Sequence, residues 1–475
     1  MSHRDDTLRI GNRNFNNASL TTLQIAGSLE AILYGLEGKK ISFWWKRHVP
    51  VSHFAIEQTL LTGEGNVRCG SNISFTLDRS GDLARAVFGR AEFPGLGASD
   101  GHGKIVKDDL DDPHSVIQEP HWCKNAAFLL FDNVRFQMGN QTLDELSWFV
   151  NMILLSSRTS AGRRFVEMTM GYEDIATRIR MSRQRQVTYT PFDFWWTRET
   201  STPLRLIAFA FHSAKICLSL TKTHSLICIP QGSSVSMSDV QVRPQYRHLL
   251  EDDVVSRDDD SNLEKLHDDS VSVCLLVEQV YLTDSERKHM ANTPICDVIE
   301  HHQWEESALI QTVTSGRYGT NRDVRVNLRL HTPVKEIQCF IVRAEDADSG
   351  HQTEFLGVLN EVTELFEDPI NSLSILVNNN EKIVLDPQYF RLVQPFQYHT
   401  ALFPGFVYSY SFALDPESLR ATGSLPAGKL DEFEIIANIK GHAFTENNTS
   451  VNFRVVASAI NLVCHNGGMA TRGWL

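Results

Sequence analysis

The strand-like segments of this 475-residue chain occur twice in the same order. "NVRFQMGNQTLD" (133–144) is matched by "SILVNNNEKIVLD" (374–386): an alternating strand, a polar turn and a second short strand. "FDFWW" (192–196) is matched by "VYSYSF" (407–412), an aromatic strand followed by a loop containing Pro. "AFAFHSAKICL" (208–218) answers to "DEFEIIANIKG" (431–441), and "VSVCLLVEQVYL" (271–282) to "NFRVVASAINLV" (452–463). Four collinear pairs imply a duplicated antiparallel sandwich, joined near "YLTDSERKHMANTPICDVIE" (281–300), where a short polar helical pattern ends at Pro294. The remaining strand-like runs, such as "KKISFWWKR" (39–47) and "IQCFIVR" (337–343), are rich in Val, Ile and Phe. Helical patterns are short: 21–36, 143–156, 284–291 and 359–366. Many short strands with turn signals point to a sandwich or barrel and away from βαβ units.

The net charge of −13 disfavours direct contact with nucleic acid. The one basic run, "TRIRMSRQRQ" (177–186), lacks interleaved aromatics and reads as a solvated loop or a subunit contact. The N-terminus "MSHRDDTLRI" has no secretory pattern, and no apolar run has the length of a membrane span. The eight cysteines are scattered singly without a CxxC pair, so all are expected to be reduced.

Motifs of catalysis are missing from the sequence: it contains no GxxxxGK[ST], HExxH or GxSxG. His301 and His302 are consecutive, so on a strand they point to opposite faces and cannot share a metal ion. His48, His53 and His399 have no partner at ligand spacing. Asp258, Asp260 and Asn262 have the first spacings of a calcium loop, but Leu263 and Asp269 stand where Gly and Glu are needed. The acidic segment 249–269 therefore reads as an exposed loop inserted between strands. It would be a contact for a basic accessory protein, a cation site, or simply solvated. Glycosylation triplets at Asn72, Asn140, Asn447 and Asn448 carry little weight without a secretory signal. At Ser80-Gly81-Asp82 a turn is expected, with a positive φ at Gly81. The sequence assigns no catalytic, cofactor-binding or metal-ligating residue, no cofactor, and no enzymatic activity.

The stretch "VYSYSFALDPESLRATGSL" (407–425) resembles the "YSFAL-P-E…SG" signature of the major capsid proteins of nucleocytoplasmic large DNA viruses. Collinear with it, Arg79, Gly81, Asp82 and Leu83 carry the "R-x-GDL" turn. "YLTDSERKHMANTPICDVIEHHQ" (281–303) is similar to the joint "YL---ER---A--P--YLIE--Q". "LHTPVKEI" (330–337), "YFRLVQPFQYH" (389–399) and "SAINLVCHNGGMA" (458–470) are similar to further family motifs. The chain departs from the family's "QPSG--NFSR" with "RATGSLPAGKL" (420–430), keeping Gly423.

The resemblance implies an all-β fold of two consecutive antiparallel eight-stranded jelly rolls, with short helices in the connections. It implies an N-terminal arm (1–26), a first jelly roll (27–284), a linker (285–294) and a second jelly roll (295–475). In function it implies a structural major capsid protein whose homotrimers form pseudo-hexagonal capsomers of an icosahedral shell. Minor capsid, cement and penton proteins are the implied partners, with an internal membrane reached through other proteins and no direct nucleic acid. The implied location is the virion capsid, assembled in the host cytoplasm. A capsid-like scaffold or divergent paralogue is the nearest alternative, and a jelly-roll carbohydrate-binding module is one of another class. Tyr408, Tyr410 and Phe412 are expected to fill the second core. Ser409, Ser411 and Ala413 would leave a smooth face for a neighbouring domain or chain.

Overall fold

In this computed structural model the described residues are 52–98, 118–242, 264–313, 319–343, 352–360, 365–444, 450–466 and 469–473, apart from 66, 159, 173, 231, 232, 234, 356 and 379. The chain divides into Met1–Ser52, which lies almost wholly outside them, and His53–Leu475. The expected arm, the strand 39–47 and the helix 21–36 are therefore not described, nor are residues 249–263 of the acidic segment.

Elements run as follows: β1 (Phe54–Leu61), β2 (Asn72–Thr76), β3 (Leu83–Phe93), β4 (Leu96–Ala98), β5 (His121–Trp122), α1 (Ala126–Leu129), β6 (Phe131–Met138), β7 (Gln141–Ser147), α2 (Trp148–Arg158), α3 (Ser160–Met168), α4 (Ile175–Ser182), β8 (Gln186–Pro191) and α5 (Trp195–Arg198). They continue with β9 (Ala214–Leu220), β10 (Ile227–Cys228), β11 (Val240–Val242), β12 (Glu264–Lys265), β13 (Ser272–Leu282), α6 (Asp284–Asn292), β14 (Ile295–Ile310), β15 (Arg322–Asn327) and β16 (Val334–Arg343). The last are β17 (Val358–Asn360), β18 (Leu365–Glu367), β19 (Ile370–Val377), β20 (Asn380–Leu385), α7 (Gln394–Tyr398), β21 (Tyr408–Ser411), β22 (Phe433–Ile439), β23 (Ser450–Asn466) and β24 (Met469–Arg472).

Two antiparallel four-stranded sheets, β1-β13-β3-β8 and β2-β9-β6-β7, face each other in a first lobe. The second lobe repeats them as β14-β23-β16-β21 and β15-β22-β19-β20, each strand in the corresponding place. The alternation that made the repeat legible is what closes each sandwich. Ala214, Ile216, Leu218 and Leu220 of β9 point inward, as do Phe433, Ile435, Ala437 and Ile439 of its counterpart β22. Both β6–β7 and β19–β20 turn through a left-handed residue, Gly139 (φ 61°) in one and Asn378 (φ 50°) in the other. These residue types adopt that conformation at least cost.

Several expectations are corrected. The aromatic segment 192–196 is not a strand: β8 ends at Pro191, and the chain turns through Phe192–Phe194 into α5. The Asn151 side chain accepts from the Asp193 N–H at 3.1 Å and the Asp193 carboxylate pairs with Arg158, which draws the backbone off the ladder. Its rings nonetheless fill the first core, Phe131 against Phe192 at 5.1 Å and Phe136 against Trp196 at 5.7 Å. Of the helical pattern at 359–366, residues 361–364 lie outside the described residues, and those on either side fall in the antiparallel pair β17 and β18. The run 177–186 is no solvated loop. It spans α4, where Arg178 is buried, and continues through Arg183, paired with Glu119, and Arg185, paired with Glu92. The cysteines are not all reduced, because Cys296 and Cys464 lie opposite each other on β14 and β23 and are joined by a disulfide.

Candidate functional site: the seam between the lobes

Glu300 on β14 is buried between the lobes and surrounded by cations. Lys335 Nζ of β16 reaches it at 2.7 Å, Arg198 Nη1 at 2.9 Å and Arg158 Nη2 at 3.0 Å. Burial alone would raise the Glu300 carboxyl, but Arg198, Lys335, His302 and Arg158 outweigh it and hold it well below the usual carboxylate range. Arg158 and Arg198 also meet Asp193, and His302 lies 3.3 Å from Glu300 and 3.5 Å from Asp144 of β7. Burial opposes a charge on His302, yet Asp144 and Glu300 together raise its pKa. Asp144, Arg158, Asp193 and Arg198 come from the first lobe, and Glu300, His302 and Lys335 from the second. Arg158 and Arg198 reach Glu300 across the seam and His302 reaches Asp144, whereas Asp193 and Lys335 are paired within their own lobes.

Around this network the contact is apolar. Trp148 stacks on Phe355 (centroids 6.3 Å), while Phe149 meets Phe340 at 5.4 Å and Trp304 at 5.9 Å. Val407, next to the aromatic strand, belongs to the core cluster continuous with the first lobe, and Ser409 is buried. Of the small-residue face, Ser409 and Ala413 are buried and Ser411 is half-buried. On the other face Tyr408 is fully buried, its hydroxyl donating to Asp368 at 3.1 Å, whereas Tyr410 and Phe412 are only partly buried against the second core.

The two histidines behave as their spacing requires. Both are buried and face opposite ways, His302 into the charge network and His301 toward Thr332 at 3.3 Å. Burial, with Arg472 and His302 nearby, pushes His301 down to about 3. Sequence reasoning missed His399, which bridges two carboxylates, Glu336 at 2.7 Å and Glu417 at 3.2 Å. Burial opposes its charge, but those carboxylates lift its pKa to about 9. The bridge pins the loop after β21 to β16. That loop, which departs from the family pattern, is further anchored by two backbone bonds between Leu425 and Val334, at 2.8 and 2.9 Å.

Two other motifs meet in space. Arg287 of α6 forks onto Asp82, at 2.9 and 3.0 Å, and the Leu282 N–H donates to Asp82 at 2.8 Å. Gly81 does not have the expected positive φ. It is needed instead for close approach, since a Cβ there would lie 2.7 Å from Gln279 Cβ. Among the described residues no group of three or more His, Cys, Asp or Glu is arranged to hold a metal ion. No helix among them is long and apolar enough to cross a membrane. The seam offers rigidity and a fixed relation between two sandwiches.

Residues 286–471 match the family of large eukaryotic DNA virus major capsid proteins, and residues 42–247 match the N-terminal family of major capsid proteins. The chain belongs to the large DNA virus major capsid proteins. It is a structural protein of the virion capsid and not an enzyme. A probable capsid protein 4 of Acanthamoeba polyphaga mimivirus is 20% identical, with 94% of this chain and 98% of that protein covered. The major capsid protein of Phaeocystis pouchetii virus is 21% identical over 93% and 98%. Among solved structures, PBCV-1 VP54 superposes with a TM-score of 0.65 at 17% identity, covering 91% of this chain and all of that one. The Faustovirus major capsid protein gives 0.63 at 9% identity, covering 94% and 96%. These likenesses establish the double jelly roll.

Proposed function

We propose that three copies of this capsid protein form a pseudo-hexagonal capsomer that tiles an icosahedral shell, assembled in the host cytoplasm. The observation that carries this reading is the strand-for-strand repeat of two sheets in two lobes joined by a matched, buried seam. Three such chains present six similar lobes, and a closed ring of three uses head-to-tail contacts between two different surfaces of each chain. In this reading residues 1–26 are an arm, 27–284 and 295–475 the jelly rolls, and 285–294 their linker. Minor capsid, cement and penton proteins bind the lattice, and they in turn connect it to an internal membrane. Native mass spectrometry should give a trimer of the 53.7 kDa chain. A monomer that persists at micromolar concentration overturns the proposal.

A further inference from the structure

Beside the charge network, the seam opens into two adjoining basins of about 250 and 350 Å³ that share Trp304 and Glu305. Phe149 backs the larger basin and packs edge-on against Trp304. Four carboxylates line the pair: Glu145 and Glu305 in the first, and Asp132, Glu305 and Glu306 in the second. Two guanidiniums face them, Arg329 and Arg454, and His302 lines the first basin as well. Arg454 is already committed, donating to Glu306 at 2.9 Å and lying over the Phe149 ring at 5.1 Å. The Glu305 side chain is exposed and has no hydrogen bond or ion pair among the described residues. Gln303, in the wall of the first basin, has a buried Oε1 that accepts from nothing. Burial raises the Asp132 carboxyl despite the pull of Arg454.

Four carboxylates against two guanidiniums and His302 leave the basins net acidic, around an aromatic ring. Lys and Arg side chains are donors only, and their cations are attracted to a Trp face. A neutral sugar brings as many acceptors as donors and would leave the excess unsatisfied. We propose that this groove binds an extended, Lys/Arg-bearing segment of another polypeptide, with one cationic side chain in each basin and Trp304 between them. The chain's own basic run cannot serve, because Arg178 is buried, Arg183 is paired with Glu119 and Arg185 with Glu92. An extended segment sends alternate side chains to one face, which suits two basins in a row. The proposal is independent of how many chains form a capsomer.

The test is a fluorescence-anisotropy titration of the full chain with a labelled hexapeptide alternating Arg and Thr, beside the same peptide with citrulline for Arg. Binding of the Arg peptide alone is expected. Glu305→Lys should weaken it about tenfold, the loss of one charge-assisted contact, without lowering the thermal midpoint. Asp431→Lys, the same charge change at a distant exposed site, should leave affinity unchanged. Trp304→Ala should weaken binding too; if it fails to fold, Glu305→Lys decides alone. Equal binding of the citrulline peptide, equal loss in Asp431→Lys, or displacement by neutral chito- or malto-oligosaccharides each overturns the proposal. So does tighter binding of a peptide spanning residues 38–49 of this chain, which would make the occupant a segment of the chain itself.

Discussion

At Gly81 the limiting quantity is distance. Gln279 is fully buried, its Oε1 accepting from Ser80 at 2.6 Å and its Nε2 donating to Asp78 at 2.7 Å. Gly81→Val would push its branched side chain into Gln279 and break both bonds, lowering stability by about 1–3 kcal/mol in a denaturant titration. Gly81→Ala should cost less, and equal stability of all three proteins would remove the crowding argument. The histidines set a pH optimum by opposite signs. His399, with a folded pKa of about 9 against roughly 6.5 unfolded, stabilises fully below pH ~6.5, and that contribution is lost as pH rises through 9. His301, held down to about 3, costs nothing above pH ~6.5 and destabilises increasingly as pH falls below it. From these two groups stability should peak near pH 6.5 and decline on both sides. His399→Gln should flatten the alkaline limb and His301→Gln the acid limb, each followed by thermal midpoint against pH. A His399→Gln profile with the wild-type alkaline slope would refute the assignment.

Among elements, β14 and β23 span 16 and 17 residues and, among the described residues, are the only strands joined covalently, by Cys296–Cys464. Alkylation of the denatured protein without reductant should label six of its eight cysteines. Reduction, or Cys296→Ser, should destabilise by roughly 2–4 kcal/mol, since the link closes a long loop of chain. Labelling of all eight would show that the bond does not form. The pairing was illegible in sequence because 168 residues separate the two thiols, and only the strand register brings them opposite. β14 itself was missed for a related reason: Glu300, His301 and His302 are buried on both faces of one strand, so polarity does not alternate there. The duplicated pairs β6–β7, β9 and β13 were legible because one face of each meets a core and the other does not. At 192–196 an aromatic strand was expected, but the bond from the Asp193 N–H to Asn151 holds the segment off the sheet while its rings fill the first core. The family motifs located Asp82 and Arg287 separately; their pairing became visible only in three dimensions.

For the whole molecule, the seam decides whether two sandwiches unfold as two domains or as one. An inter-lobe contact of ordinary size and polarity leaves domains free to move and melt separately. Here Asp193 and Glu300 are matched by Arg158, Arg198 and Lys335, and Asp144 by His302, with little access to water, and the aromatic contacts of Phe149 and Trp148 run alongside. Opening the seam would strand several charges, so separate melting of intact lobes is costly, and one cooperative transition is expected by calorimetry at fixed protein concentration. Glu300→Ala removes the carboxylate shared by the three cations and leaves them facing fewer counter-charges. It should lower stability by about 3–5 kcal/mol and split the transition in two, as each sandwich keeps its own sheets and core. Glu434→Ala, which removes the partner of the exposed Arg325, should change stability by less than about 1 kcal/mol. Two resolved transitions in the unaltered protein would mean that the lobes are not coupled through this network. A single transition in Glu300→Ala would mean that the aromatic contacts alone couple them.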